Sequence, residues 1–362
     1  MSILIFIIIL AVLILVHELG HFLAAKRAGI KVKEFGIGFP PSLWRKTAGE
    51  TTYSVNLIPF GGFVKILGED PHDEDVSAEE RARSMVYKSR LIQATVLAAG
   101  VFFNIAFAWL LISLGYMSGL PTPISQAKTE IRNPRLVVTL VTPDSPAARS
   151  EIKPGDAIIS VSSGRNSLQE LTPQTVSNFI EAHGREQITV VHARGGQTYE
   201  SILVPKEGII AGRRAIGVGM DIIGIQKLPV HQAFYEAAKT TVNLTIAIAK
   251  SIGKFIVDAF RGEGKLSQIT GPVGIVGLVG DVSELGFIYV LSFTAFISVN
   301  LAVINMLPFP ALDGGRILFL LIEAIKGSPI KPAVSRAVNG IGFAVLILLM
   351  IVVTIHDIVK LF

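Results

Sequence analysis

Two histidines four residues apart, the first followed by a glutamate, make His17-Glu18-Leu19-Gly20-His21 the stretch of this chain richest in potential chemistry. On a helix, residues four apart share a face, so both imidazoles can reach one metal ion. Glu18 then sits beside that face, where a carboxylate can take a proton from a water molecule activated by the metal. The stretch closes an unbroken apolar run over residues 3–16. A charged side chain at the centre of a membrane helix costs about 2.5–3.5 kcal/mol on insertion scales. HExxH alone arises often by chance, and its bland reading is a span end at the water interface, with His21 and Lys26 snorkelling. That reading leaves the paired spacing around a glutamate unexplained.

Catalytic zinc takes three protein ligands and keeps one position open. The chain has no cysteine, so any metal must be held by nitrogen and oxygen. His72, His183, His192, His231 and His356 read as surface residues, which leaves a carboxylate as the third ligand. The stretch NMLPFPALDGG, from Asn305 to Gly315, supplies Asp313 at the end of another apolar run. Pro308 and Pro310 break a helix there, and Gly314-Gly315 is expected to keep the backbone irregular. At membrane depth such backbone is tolerated only where protein buries it or a water-filled cavity meets it. Asp313 would then turn inward from an irregular segment. Two alternatives stay open: Asp313 as the N-cap of a helix over 316–326, and Glu323 as the ligating carboxylate.

The elements that must position these groups are apolar spans. Half of the 362 residues are hydrophobic and only 17% are charged, less charge than a soluble domain carries. Spans are predicted over residues 2–25, 91–116, 287–307 and 338–355, each of the length that crosses a bilayer. The first lacks a positive leader region and a small-residue cleavage site, so it reads as a retained span rather than a signal peptide. Lys26, Arg27, Lys31 and Lys33 follow the first span, and Arg81, Arg83, Lys88 and Arg90 precede the second. Lys326, Lys331 and Arg336 lie between the last two. The positive-inside rule places both loops in the cytoplasm, with both termini and residues 117–286 on the other side. This accounts for the net charge of +5 without nucleic acid as a partner.

Four regions follow: 1–116, 117–228, 229–286 and 287–362. Between the first two spans, alternation at Tyr53, Val55 and Leu57, then Pro59 and Gly61-Gly62 turn chemistry, predict a β-hairpin or a curled β-segment. An acidic loop over 69–80 comes next. Residues 131–204 switch to β-rich runs, with a helix over 173–183 and a hairpin around Gly195-Gly196. Within them SPAA, a spacer and IKPGDAIISV resemble a PDZ domain of the bacterial protease type, which implies capture of peptide or protein termini by strand addition. Residues 231–260 read as an amphipathic helix, lying on the membrane surface or packed in the extracytoplasmic domain, and not as a fifth span.

HExxH in the first span together with NxxPxPxLDGG in the third resembles the site-2 protease family of intramembrane zinc metalloproteases. GVFFN, Gly100 to Asn104, and IPFGGFVK, Ile58 to Lys65, agree with it. The resemblance is nearest to the regulator-of-sigma-E protease branch and spans nearly the whole chain. One departure is room for a single PDZ domain, where many relatives carry two. The implied fold is a polytopic α-helical membrane protein of four transmembrane helices, a membrane-associated β-hairpin and an extracytoplasmic α+β PDZ domain. The resemblance implies Zn2+ on His17, His21 and Asp313, Glu18 as catalytic base or acid, and Asn305 on substrate backbone. Asn104 is a weaker candidate for substrate binding. Tyr53, Val55 and Leu57 are candidates on the segment Thr51–Ile66, an edge strand that would hold an unwound substrate. Implied substrates are membrane proteins with a single transmembrane helix, such as anti-sigma factors and remnant signal peptides. The implied location is the bacterial inner membrane.

Overall fold

The computed structural model describes residues 1–69, 78–126, 131–210, 213–263 and 269–359. Most of the expected acidic loop, including His72, lies outside them. The chain forms two compact units: residues 1–113, 234–280 and 292–362 in the first, and 114–233 with 281–291 in the second.

In the first unit, helix α1 (Ser2–Arg27) carries the apolar run and HExxH. Its last turn holds Lys26 and Arg27, where cations complement the negative helix end. Gly29, at φ +65°, stops it: Gly29 N–H bonds Lys26 O at 3.1 Å and Ile30 N–H bonds Ala25 O at 2.9 Å. This is a Schellman close, which needs a residue tolerant of positive φ. The chain turns from there into β1 (Val32–Ala48) and β2 (Thr51–Ile66).

These two long strands fold back on themselves. The hairpin closes at Gly49-Glu50, with Ala48 opposite Thr51 and Lys46 opposite Tyr53. Phe35 lies opposite both Tyr53 and Val64, and Ile37 opposite both Val55 and Gly62. The expected turn at Gly61-Gly62 is therefore corrected. Those glycines lie inside β2, where shifted register takes up the irregularity. β1 itself escapes a pattern reading because Gly36, Gly38, Pro40 and Pro41 interrupt its alternation.

Helix α2 (Ala78–Arg81) is a single turn, and α3 (Arg90–Ser118) is a long apolar helix. Ala25, Ile30, Val32, Ile66, Met85, Val96 and Leu97 form one buried cluster that joins α1, the sheet and α3.

The second unit is an α+β domain. β3 (Leu120–Pro123), β4 (Arg132–Val141), β5 (Ala157–Ser163), β6 (Asn166–Ser167), β7 (Ile188–Arg194), β8 (Gln197–Leu203) and β11 (Val218–Gln226) share one sheet. Its order is β3-β11-β4-β5-β7-β8, with β6 on β5, and β9 (Lys206–Ile210) pairs with β10 (Arg213–Ala215) separately. Helix α4 (Pro173–Ala182) starts in a capping box between Thr172 and Thr175, with Pro173 in its first turn. Val176 and Ile180, four apart on α4, enter the core with Val138, Val161, Ile188 and Val190. His192, expected at the surface, is fully buried (0% exposed). Its Nδ1 lies 2.8 Å from Asp156, whose carboxylate also takes hydrogen bonds from Arg194 at 2.6 and 2.7 Å. Burial pushes the His192 pKa down, against the pull of Asp156.

The chain continues through α5 (Val230–Phe260), α6 (Pro272–Leu285), α7 (Phe287–Asn305), α8 (Asp313–Lys326) and α9 (Pro332–Val359). Five helices among the described residues are long and apolar enough to cross a membrane: α1, α3, α5, α7 and α9. That suits a multi-pass membrane protein. α5 is the unexpected one: it keeps enough apolar character over a span length although Lys250 and Lys254 lie one turn apart.

Candidate metal centre

α1, α3, α7 and α8 build the site. His17 and His21, both 7% exposed, project from one face of α1 with their rings edge to face, 4.7 Å between centroids. Asp313 Oδ2 lies 3.0 Å from His17 Nε2 and 3.4 Å from His21 Nε2. The two Nε2 atoms are 3.1 Å apart. These are the only three histidine or carboxylate side chains among the described residues that could hold one metal ion, their donor atoms all within 4.8 Å.

The donor set suits zinc: two imidazole nitrogens and one carboxylate oxygen, as in catalytic sites that keep a fourth position free. Asp313 Oδ2 is also buried without a hydrogen bond of its own. An oxygen so placed, at the meeting point of two nitrogens, calls for a cation.

Asp313 is not on irregular backbone as expected. It is the first residue of α8, with Leu312 as the N-cap. The helix N-terminus also favours its negative charge. Gly314 and Gly315 are helical and needed for a different reason. A Cβ on Gly314 would sit 2.3 Å from Met306 O, and one on Gly315 2.1 Å from Phe309 O. The break over residues 306–312 thus lets the start of α8 fold back tightly onto the end of α7. The rival Glu323 is turned elsewhere, accepting a hydrogen bond from Ile330 N–H at 2.9 Å.

Glu18 stands one residue along from His17, and Gly62 of β2 approaches it: a Cβ on Gly62 would lie 3.8 Å from Glu18 Cγ. Gly61 faces Ile14, one turn earlier on α1. Asn305, at the end of α7, points its Nδ2 at His17 Nε2 from 3.5 Å. Asn104 lies at the other nitrogen, its amide 3.3 Å from His17 Nδ1.

Tyr53 and Val55 do not stand at a free edge. Tyr53 packs against Phe22 and Phe35. Tyr53 and Val55 belong to a strand segment with partners on both sides. A strand already paired on both sides has no free ladder to offer, so the part of β2 beside Glu18 is Gly61-Gly62.

α3 contributes what motif reading missed. Gly20 and Gly100 let α1 and α3 cross backbone to backbone: a Cβ on Gly20 would lie 2.5 Å from Ala99 O. One on Gly100 would lie 2.4 Å from His21 Nε2. The signal was present as a glycine inside HELGH and another opening GVFFN, a small-residue seam of the kind that membrane helices use to approach closely.

Apolar spans, a His-His-Asp cluster and a neighbouring glutamate define the class: a membrane-embedded zinc peptidase. The chain matches the model of Peptidase family M50 over residues 5–349, and it belongs to that family. It is 34% identical to a zinc metalloprotease of Nostoc sp., covering 96% of this chain and 93% of the relative. It is 32% identical to one of Clostridium acetobutylicum, covering 99% and 97%. The regulator of sigma-W protease RasP of Bacillus subtilis is 29% identical, covering 99% of this chain and 98% of that protein. This chain is accordingly a zinc metalloprotease of the site-2 protease family, and its cofactor is Zn2+.

Proposed function

We propose that this zinc metalloprotease hydrolyses peptide bonds in or beside the transmembrane helix of single-span membrane proteins. The observation that carries the reading is the convergence of His17 Nε2, His21 Nε2 and Asp313 Oδ2 at the end of an apolar span. Zinc held by these three atoms supplies a Lewis acid for the scissile carbonyl and for water. Glu18 accepts the proton of the attacking water and returns it to the leaving amine. Asn305 Nδ2, already aimed into the centre, donates to the substrate backbone and orients it.

A helical substrate must unwind before its amides can be attacked. Strand addition would hold it extended, and the edge at residues 61–66, which passes Glu18, suits this better than the doubly paired Tyr53–Val55 stretch. The second unit would bind peptide or protein termini as a PDZ domain and admit substrates already trimmed outside the membrane. The class of substrate is that of anti-sigma factors and remnant signal peptides.

Four spans fit the bacterial inner membrane best, with both termini and the second unit outside. Basic residues flank the α1–α3 and α7–α9 connections, which marks them as cytoplasmic, so α7 must start outside. Were α5 to cross inward, the chain would have to return before Phe287. Among the described residues, the only helix available is α6, with 14 residues, about 21 Å at 1.5 Å per residue, and the hydrocarbon core is about 30 Å thick. α5 therefore lies along the membrane or against the protein.

The test is purified protein in detergent with a single-span substrate, wild type beside Glu18→Gln. Cleavage within the span by wild type only is expected. Preference for soluble peptides, or no cleavage, would replace the reading with a peripheral peptidase or a non-catalytic receptor.

A further inference from the structure

Both site histidines present Nε2 to one point, which leaves Nδ1 of each neutral ring to carry the hydrogen. For His21 the acceptor is plain: Nδ1–H donates to the backbone oxygen of Val96 at 2.8 Å. For His17 the group facing Nδ1 is the Asn104 side-chain amide, at 3.3 Å. Val96, Gly100 and Asn104 are spaced four apart, so they form one stripe along α3. With Nδ2 toward the ring, that amide would donate to a bare Nδ1, and the hydrogen would sit on Nε2, where it blocks the ligand atom. Amide nitrogen and oxygen exchange places by a half-turn. Turned over, Oδ1 accepts from Nδ1–H. In the present orientation Oδ1 has no partner, so the imidazole decides.

We propose that Asn104 is a positioning residue, whose side-chain oxygen holds His17 in the tautomer that offers Nε2 to zinc. It does for His17 what the Val96 carbonyl does for His21. Asn104 is fully buried (0% exposed). Its own backbone oxygen takes a hydrogen bond from Ser298 Oγ of α7 at 2.8 Å, which ties this turn of α3 to the helix that carries Asn305. The role rests on His17, His21 and Asp313 being the ligands.

The experiment measures zinc affinity by chelator competition on the full chain in detergent, for wild type, Asn104→Ala, Asn104→Asp and His17→Ala. The 15N resonances of labelled histidines report the His17 tautomer. Asn104→Ala should lower affinity ~10–100-fold, the usual cost of losing the partner behind a metal-bound histidine, and should change the His17 15N pattern. Asn104→Asp, whose carboxylate accepts the same hydrogen, should stay near wild type. A packing role alone would rank the two the other way, since a carboxylate fills a buried amide site worse than alanine does. Wild-type affinity in Asn104→Ala, or an equal loss in Asn104→Asp, while His17→Ala loses zinc, overturns this role alone. Zinc retained in His17→Ala overturns the ligand assignment beneath it.

Discussion

Asp313→Asn and Glu323→Gln separate the two carboxylates that the sequence leaves open. The first should lose zinc by more than the ~10–100-fold that follows loss of a partner behind a ligand. The second should keep its metal, because Glu323 is occupied by Ile330 N–H. Zinc content after dialysis decides between them. Gly100→Ala should empty the site as well, although it adds one methyl and no polar atom. That methyl would sit 2.4 Å from His21 Nε2, so an unchanged zinc content would show that α3 yields. His17, Glu18 and His21 were legible because the spacing of a helix is itself a geometry. Asp313 was legible only as one candidate, and its place in the first turn of α8 was not, because the fold-back depends on Gly314 and Gly315 meeting carbonyls of residues 306–309. Asn104 could be read as polar and intramembrane, but its partner lies 87 positions away.

At the scale of elements, pattern reading of the two-stranded sheet found a curled β-segment but misplaced its turn. Glycine and proline normally mark turns, and here they sit inside strands that bend and shift register. The correction moves the test of strand addition. Of Phe63→Pro and Val64→Pro, one removes an amide facing β1 and the other an amide facing the open edge, since successive amides alternate. The edge-facing variant should lower cleavage while zinc content holds. Wild-type cleavage by both would end the strand-addition reading.

The hairpin tip is also a clasp. Glu50 takes hydrogen bonds from Lys26 at 2.8 Å and from Arg83. These two cations hold its carboxyl down at about 2, against a usual 4.5. With the folded pKa depressed, the unfolded chain binds the proton first as pH falls, so stability drops from about pH 4.5 toward 2. Glu50→Gln should flatten that part of the thermal-stability curve against pH. An unchanged slope would mean that the clasp contributes nothing, as many exposed pairs do.

For the whole molecule, the α+β character of residues 131–204 was plain from alternating runs and turn signals, because each strand there has a solvent side and a core side. The span count was not plain. Length and apolarity admit α5, while the distribution of lysine and arginine, together with the shortness of α6, argues against it. Deleting residues 131–204 should raise cleavage of substrates that have not been trimmed outside the membrane. Complete loss of activity would mean instead that the second unit is needed for folding or delivery.

His21 and Asp313 are almost the whole chain apart, and synthesis runs in one direction. While the ribosome is still making α5 through α7, the nascent chain has both imidazoles and the glutamate but lacks the carboxylate that completes the centre. With His17, His21 and Asp313 as the proposed ligands, the protease would stay inert until α8 has emerged and folded back. On that reading, activity would arrive with assembly.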